Sequence, residues 1–566
     1  MYLKCRVKIP KMKSKITFNT IKGVTYVSYE YNRVYHPEKQ YNTPKRTTIG
    51  KQCEDTPEMM NPNQNYKKFF PDLELPEDPG QGDRSSCLRI GAYTVIKKII
   101  RDYKLDGMTQ DIIGSDSGLF LDLAAYSIIT ENNAGQYYPD YAYNHPLFTD
   151  DMHIYSDSKI SDFLREISRE QSIDFLDRWN EARDHRERIY ISYDSTDKTC
   201  QAGDIEIAEY GHSKDESGKP MFNYSIAYDR NNREPLFYES YPGSIVDVSQ
   251  LQYTLEKAKG YGYRQIGFIL DRGYFSKENI KYMDGCGYDF VIMVKGQKPL
   301  VNGLITANKG SFENDRACSI RGYGVNGMTI KRRLFADDEE DRYFHIYYNG
   351  HKYAAEKEAV EIKIDRMAEF LKKIEGKDTV IKGEITKYFD LIYYHEGQAD
   401  QKFVCGRELY DAINREIELC GYFSIITSKK MTAKEALELY KSRDGSEKLF
   451  RGDKSYLGNK STRVHSDESV KAKIFIEFVA LIIRNKMYTS LKDEVLRLGK
   501  NINYMTVPAA VRELEKIELI RLFDGSYTLD HAVTARQKTI LKAFSMDVNS
   551  IKNSVKEISE RLINRG

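Results

Sequence analysis

No two cysteines in the 566-residue sequence are close enough to start a zinc site. The nearest pair is Cys405 and Cys420, and no C-x2-C spacing occurs among the eight. They read as small core residues of a chain kept reduced, which suits a cytoplasmic protein. A long hydrophobic run is missing too: the longest, Ile474 to Ile483, is broken by Glu477 and falls far short of a bilayer. The first fifteen residues are basic without an apolar centre, so no secretory signal pattern opens the chain. Internal repeats and low-complexity tracts are absent, and tryptophan occurs once, at Trp179. Net charge is only +2, which taken alone argues against a nucleic-acid partner.

What is present is a soluble globular composition, 40% hydrophobic and 30% charged, in a chain long enough for three to five domains. Its charge is unevenly spread. Residues 1–51 hold twelve Lys/Arg against two Asp/Glu, a basic arm on a near-neutral body. Such an arm suits binding to a phosphate backbone, because each neutralised phosphate releases counterions. Short β segments are expected there, Ile16 to Ile21 and Val24 to Tyr31 around a Lys22-Gly23 turn, with Thr47 to Ile49 as an edge. Tyrosines interleave with the lysines, and a small tyrosine-lined sheet is the plainer alternative. Residues 52–84 turn acidic and rich in Pro, Asn and Gly, and read as a linker.

Residues 85–187 read as a helical domain, with apolar spacing over Leu88 to Tyr103 and Leu119 to Ile129 and one or two amphipathic helices over Ser158 to His185. At Arg188 the period switches to two. Ile189 to Asp194 is a strand that ends on a carboxylate; Met221 to Tyr228 and Pro235 to Ser240 follow, joined by the turn residues Asp229 to Asn232. A helix over Val248 to Ala258 leads to the unbroken apolar run Gln265 to Leu270, as in a central parallel strand, which ends on Asp271. Ser276 caps a short helix, and Tyr288 to Val294 is a fifth strand. The order βββαβαβ over 188–296 is that of a ribonuclease-H-like sheet. Residues 297–431 read as a β-rich insertion, 432–500 as the second part of the core, and 501–566 as a helical C-terminal segment. The fold class expected is therefore α/β multidomain.

In that fold the strands bearing Asp194 and Asp271 are neighbours. Two carboxylates that close repel unless a cation lies between them, and oxygen ligands suit Mg²⁺ or Mn²⁺. Strand-end Asp residues are also common caps and turns. Asp197 reads as a turn cap or as a residue supporting Asp194 from behind, and His465 as a structural histidine. Lys214 reads equally as a DNA contact or a solvated loop residue. A helix is expected from Thr432, whose spacing to Glu435 is that of a capping box. At about 100° per residue, Tyr440, Arg443, Glu447 and Lys454 on that helix share an arc of roughly 60°. A solvated face would alternate charge as well. Gly445, costing on the order of 1 kcal/mol in a helix interior, is expected to loosen or break it.

The spacing Y-x2-R-x3-E-x6-K resembles the signature of DDE transposases of bacterial insertion sequences, in the superfamily named after insertion sequence four. The blocks YDST at Asp194, LDRGYFS at Asp271, REPLFYESYPGSIVD, GYFSIIT and RVHSDESVKAKIFIEFVAL are similar to those of the family, and Phe450 fits its usual aromatic. The opening, with TIGK and MNPN, resembles the branch named for insertion sequence sixteen thirty-four. One departure is Asp444-Gly445-Ser446, where family members carry bulky apolar residues. The resemblance implies a metal triad of Asp194, Asp271 and Glu447, with Tyr440, Arg443 and Lys454 handling a DNA phosphate. It implies Mg²⁺ or Mn²⁺ as cofactor and cleavage and joining at terminal inverted repeats before insertion into target DNA. It also implies an insertion that grips DNA, and a homodimer in the synaptic complex. A prokaryotic, cytoplasmic, nucleoid-associated protein with no membrane role follows. A nuclease or resolvase of the same fold, or a domesticated DNA-binding protein that does not cut, are the alternatives.

Overall fold

The computed structural model describes the chain apart from residues 1, 13, 22, 39, 54–55, 77–83, 184–187, 201–204, 211–217, 246, 264, 295–297, 395–396, 398–400, 501 and 564–566. Lys214 lies outside the described residues. The seven segments read from the sequence fall into two compact units. One comprises Met1–Trp179, Lys198–Phe222 and Leu449–Gly566; the other comprises Asn180–Asp197 and Asn223–Lys448.

The first unit opens with an antiparallel sheet of β1 (Val7–Lys8), β2 (Ile16–Ile21), β3 (Val24–His36), β4 (Tyr41–Gln52) and β5 (Met59–Pro62), in the order β1-β5-β4-β3-β2. The stretch Thr47 to Ile49 is therefore not an edge. It lies in an interior strand, and Ile49 is fully buried with Val27 and Met60. Part of the expected linker is structured as well. β5 pairs with β4, and α1 (Gln64–Phe69) follows because the Asn63 side chain accepts from the N–H groups of Asn65 and Tyr66. Tyr66 and Phe70 then complete this small core. β6 (Cys87–Arg89) pairs with Glu518–Arg521, which takes three residues from the expected start of the helical domain.

Helices α2 (Gly91–Asp102), α3 (Leu105–Ile113), α4 (Ser117–Thr130), α5 (Tyr138–Asn144), α6 (Asp157–Glu166) and α7 (Arg169–Glu181) follow. Leu105–Thr130 is long and apolar enough to cross a membrane by length and composition, yet α4 is buried from Leu119 to Ile128 within this unit. Phe120 and Phe175 pack their rings on Phe475, which belongs to the 32-residue helix Asp467–Leu498. The C-terminal helices Ala535–Ala543 and Val548–Ile563 bury Ile540, Leu541, Ile551 and Ile558, and Arg561 donates to the carbonyls of Leu147 and Thr149. They pack on their own chain.

The second unit is built on a nine-stranded sheet. Its strands are β7 (Ile189–Thr199), β8 (Met221–Asp229), β9 (Glu234–Pro242), β10 (Ile266–Leu270), β11 (Asp289–Met293), β12 (Ser319–Ile320), β13 (Val325–Arg332), β14 (Arg342–Tyr348) and β17 (Tyr422–Thr427). The last two residues of β7 and the first two of β8 belong to the first unit. The order is β12-β13-β14-β17-β11-β10-β7-β8-β9. β10 runs parallel to both β7 and β11, and all five of its residues are buried, as its apolar run requires. Helices α8 (Asp247–Gly260) and α9 (Lys277–Gly285) make the crossovers, α9 capped by Ser276.

The expected β-rich insertion is not a separate body. β17 pairs antiparallel with β11, and β14 and β13 extend the same sheet beyond it. An unpaired edge on β11 would leave a row of backbone groups without partners; β17 supplies them. Only the remainder of the stretch stands apart from the sheet. There, α11 (Gly350–Lys373) and α12 (Tyr410–Glu418) close over the hairpin of β15 (Phe389–Tyr394) and β16 (Lys402–Glu408). Leu371, Tyr388, Phe389 and Phe403 form its core.

Candidate active site

Register brings the two aspartates together. Tyr193 and Leu270 are the last paired residues of β7 and β10, so Asp194 and Asp271 each follow immediately on adjacent parallel strands. Asp194 is not a strand end, however. β7 runs on through Ser195, Thr196, Asp197 and Lys198 to Thr199, all buried, with β8 along its other side. Asp197 is accordingly a buried strand residue and not a turn cap. The Ser195 backbone N–H donates to Oδ1 of Asp194 at 2.9 Å and fixes that carboxylate.

The acidic helix arrives over the same strand ends. Thr432 and Glu435 form the full capping box of α13 (Ala433–Lys441), which lies on the sheet through Ala433, Leu437 and Tyr440. The Tyr347 hydroxyl donates to the Ala433 carbonyl at 2.7 Å and pins its start. The chain then breaks at Ser442 and resumes as α14 (Asp444–Tyr456). The break lies two residues before the position expected at Gly445, and tight turn bonds bridge it, Arg443 N–H to Tyr440 and Gly445 N–H to Ser442.

Gly445 has a different reason to be there. A Cβ on it would lie 3.0 Å from the Tyr228 ring. Beside it, the buried hydroxyls of Ser446 and Ser192 meet at 2.9 Å. The small pair Gly445-Ser446 thus lets α14 begin close against β7 and β8. Sequence reasoning missed Ser192, Ser446 and Tyr228. The one signal for them was the loss of bulk next to Glu447.

Arg443 is the centre of the arrangement. One guanidinium nitrogen lies 3.1 Å from Asp271 Oδ1, and the other 2.6 Å from Glu447 Oε1. Tyr440 donates its hydroxyl to the same Asp271 oxygen at 3.3 Å. Burial works against the Arg443 charge, but Tyr440, Asp271, Asp194 and Glu447 outweigh it and hold the guanidinium above its ordinary range. Burial and the neighbouring Asp271 push the Tyr440 phenol up to about 12, so it stays a donor.

Asp194, Asp271, Tyr440, Arg443 and Glu447 are therefore gathered around one positive charge. Lys454 lies on α14, seven residues beyond Glu447. Arg443 itself pairs with Asp271 and Glu447. His465 lines a cavity of about 890 Å³ in the first unit, with Lys473 and Glu477.

The donor set, oxygen-only and clustered on a cation, fits a hard divalent ion. Among the described residues no three His, Cys, Asp or Glu side chains close directly on one another to form such a site. The guanidinium stands between Asp271 and Glu447 and keeps them apart.

The model of the family described as "Transposase DDE domain" matches residues 186–483, more than half of the chain and all five gathered side chains. No curated protein matches the sequence. Among solved structures, a cryo-EM structure of the piggyBac transposase synaptic complex with hairpin DNA is similar at 9% identity and a TM-score of 0.30, over 73% of this chain. The chain spans 65% of that one's length. On the family match, this chain belongs to the transposase DDE domain family.

Proposed function

We propose that the chain is an insertion-sequence transposase that cuts and joins DNA strands at element ends, of the superfamily branch its motifs resemble. The observation that carries this is Arg443 joining Asp271 to Glu447 beside Asp194, because it puts all three acids of the signature around one charge. Asp194, Asp271 and Glu447 would hold Mg²⁺ or Mn²⁺. Such ions, when bound, supply activation of the attacking oxygen and stabilisation of the leaving one in phosphodiester transfer.

The chain's own groups do the positioning. The Ser195 N–H and the Tyr440 hydroxyl each hold one aspartate oxygen, so both carboxylates keep a defined orientation. Arg443 is the donor nearest a phosphate entering beside the acids, where a guanidinium binds two oxygens at once. Lys454, on α14 with Glu447, adds a second cation. Joining two ends calls for two active sites, so a homodimer acting on terminal inverted repeats and target DNA completes the reading.

The test uses DNA carrying the element's terminal repeats with Mg²⁺. The wild type nicks at the element boundary and joins ends to a target duplex. Asp194→Asn keeps its size, loses a charge and abolishes cleavage while end binding is retained. Full cleavage by that variant would sink the assignment.

A further inference from the structure

The strands β3 and β4 are far longer than their neighbours. β2 pairs with β3 only from Val24 to Tyr29, and β5 pairs with β4 only from Gly50 to Gln52. From Glu30 to His36 and from Tyr41 to Arg46 the two strands pair with each other alone. Among the described residues between Tyr31 and Arg46, all but Val34 and Pro44 are exposed. An isolated two-stranded ribbon is marginal in water, and this one has local support. Glu30 accepts from Arg33 at 2.6 Å and lies 3.4 Å from Arg46, while the rings of His36 and Tyr41 meet near the tip.

Its surface is polar and positive. Four Lys/Arg stand against one Glu between Asn32 and Arg46, and the tyrosines at 35 and 41 are more than half exposed. The size is selective. Two strands about 4.8 Å apart make, with their side chains, a ribbon roughly 10 Å wide, which fits a major groove of about 12 Å and not a minor groove of about 6 Å. Cross-strand register puts Arg33 opposite Pro44 and Tyr35 opposite Asn42, so Arg33, Tyr35 and Asn42 share a face, while Lys45, opposite Asn32, lies on the other. Arg and Asn are the side chains that pair bidentately with guanine and adenine edges in the major groove.

We infer that the free end of the β3–β4 ribbon enters the major groove of duplex DNA, with Arg33 and Asn42 reading base edges and Lys45 contacting phosphate. This rests on the reading of DNA as substrate and adds to it a sequence-reading element outside the catalytic unit.

The experiment selects a binding motif from a random 20-base-pair duplex library with the full chain, without divalent metal. The selected duplex is then probed with dimethyl sulfate, which marks guanine N7 in the major groove and adenine N3 in the minor groove. Wild type should protect guanine N7, and Arg33→Ala should lose that protection. Arg33→Ala and Asn42→Ala should each weaken binding to the selected duplex roughly five- to hundred-fold while sparing random duplex. Lys45→Ala should weaken both alike and lower the salt slope by about one. A ribbon shortened to an Asn-Gly turn in place of residues 34–43, with unchanged Trp179 emission as its folding control, should select no motif.

Selection of no motif by the wild type, protection at adenine N3 alone, or an unchanged footprint from the shortened ribbon would each overturn the inference. Because the footprint needs no metal, it stands apart from cleavage. A wild type that binds through the ribbon and never cuts defeats the transposase reading and leaves this one standing.

Discussion

A guanidinium clamped between two carboxylates answers the electrostatic problem that neighbouring acids pose, since like charges that close cannot both ionise without a counter-charge. Arg443 supplies that charge from within the protein, which makes it a competitor of any divalent ion bound by Asp271 and Glu447. Arg443→Gln should lower thermal stability without metal by on the order of 1 kcal/mol, the modest value expected of partly exposed pairs. Added Mn²⁺ should then raise the melting temperature more in the variant than in the wild type. Equal shifts would show that Arg443 and the ion do not compete. The residues themselves were legible: strand ends and the resemblance named Asp194 and Asp271, helical spacing named Tyr440, Arg443 and Glu447, and the five come together around one guanidinium. What spacing could not show was the partner of each. A helical stripe places Arg443 beside Glu447 but is silent on Asp271, which is 172 positions earlier in the chain.

At the scale of elements, α14 shows why a residue that weakens helices can be the right one. Replacing Gly445 by Ala gains on the order of 1 kcal/mol of helix propensity, and the Tyr228 ring at 3.0 Å must shift to admit the new carbon. These effects are of similar size, so Gly445→Ala should be nearly neutral. Gly445→Leu, closer to the bulk usual in the family, should destabilise by about 1–3 kcal/mol through overpacking. Urea unfolding of the two variants checks this; a Leu variant as stable as the Ala one would mean that Tyr228 does not hold the space. Local patterns gave the elements well, among them the buried run of β10, the Ser276 cap and the Thr432 capping box. Strand partners were harder to read. β17 joins β11 across more than a hundred residues, and β4 is interior because β5 pairs on its far side. Period-two alternation marks a strand without saying what lies beside it.

At the scale of the whole molecule, the first unit holds a cluster of buried charge. Lys198 lies 2.9 Å from Asp453 and 2.8 Å from Glu477, and all three are almost fully buried. Burial alone would lower the Lys198 ammonium, but the two acids outweigh it and hold it above its ordinary value. Lys473 is less well compensated: burial pushes it from 10.5 down to about 8, and its ammonium donates to the Thr462 carbonyl. Below pH 8 the cost of burying that charge is fully present. Between pH 8 and 10.5 the unfolded chain still holds the proton that the folded protein has released, so stability from this group rises with pH. Relative to Lys473→Met, the wild type should gain on the order of 3 kcal/mol over that window. Trp179, the only tryptophan, is fully buried in the same unit and reports its unfolding by fluorescence. A stability difference independent of pH would remove Lys473 from the account. Phe475 packs on Phe120 and Phe175, partners about 300 residues earlier. At roughly 5–20 residues per second a ribosome needs about 15 s to a minute to bridge that interval. For all that time the early helices stand on a nascent chain with their apolar faces uncovered. Synthesis of this protein therefore carries a waiting period, and holdase chaperones have a defined interval in which to act.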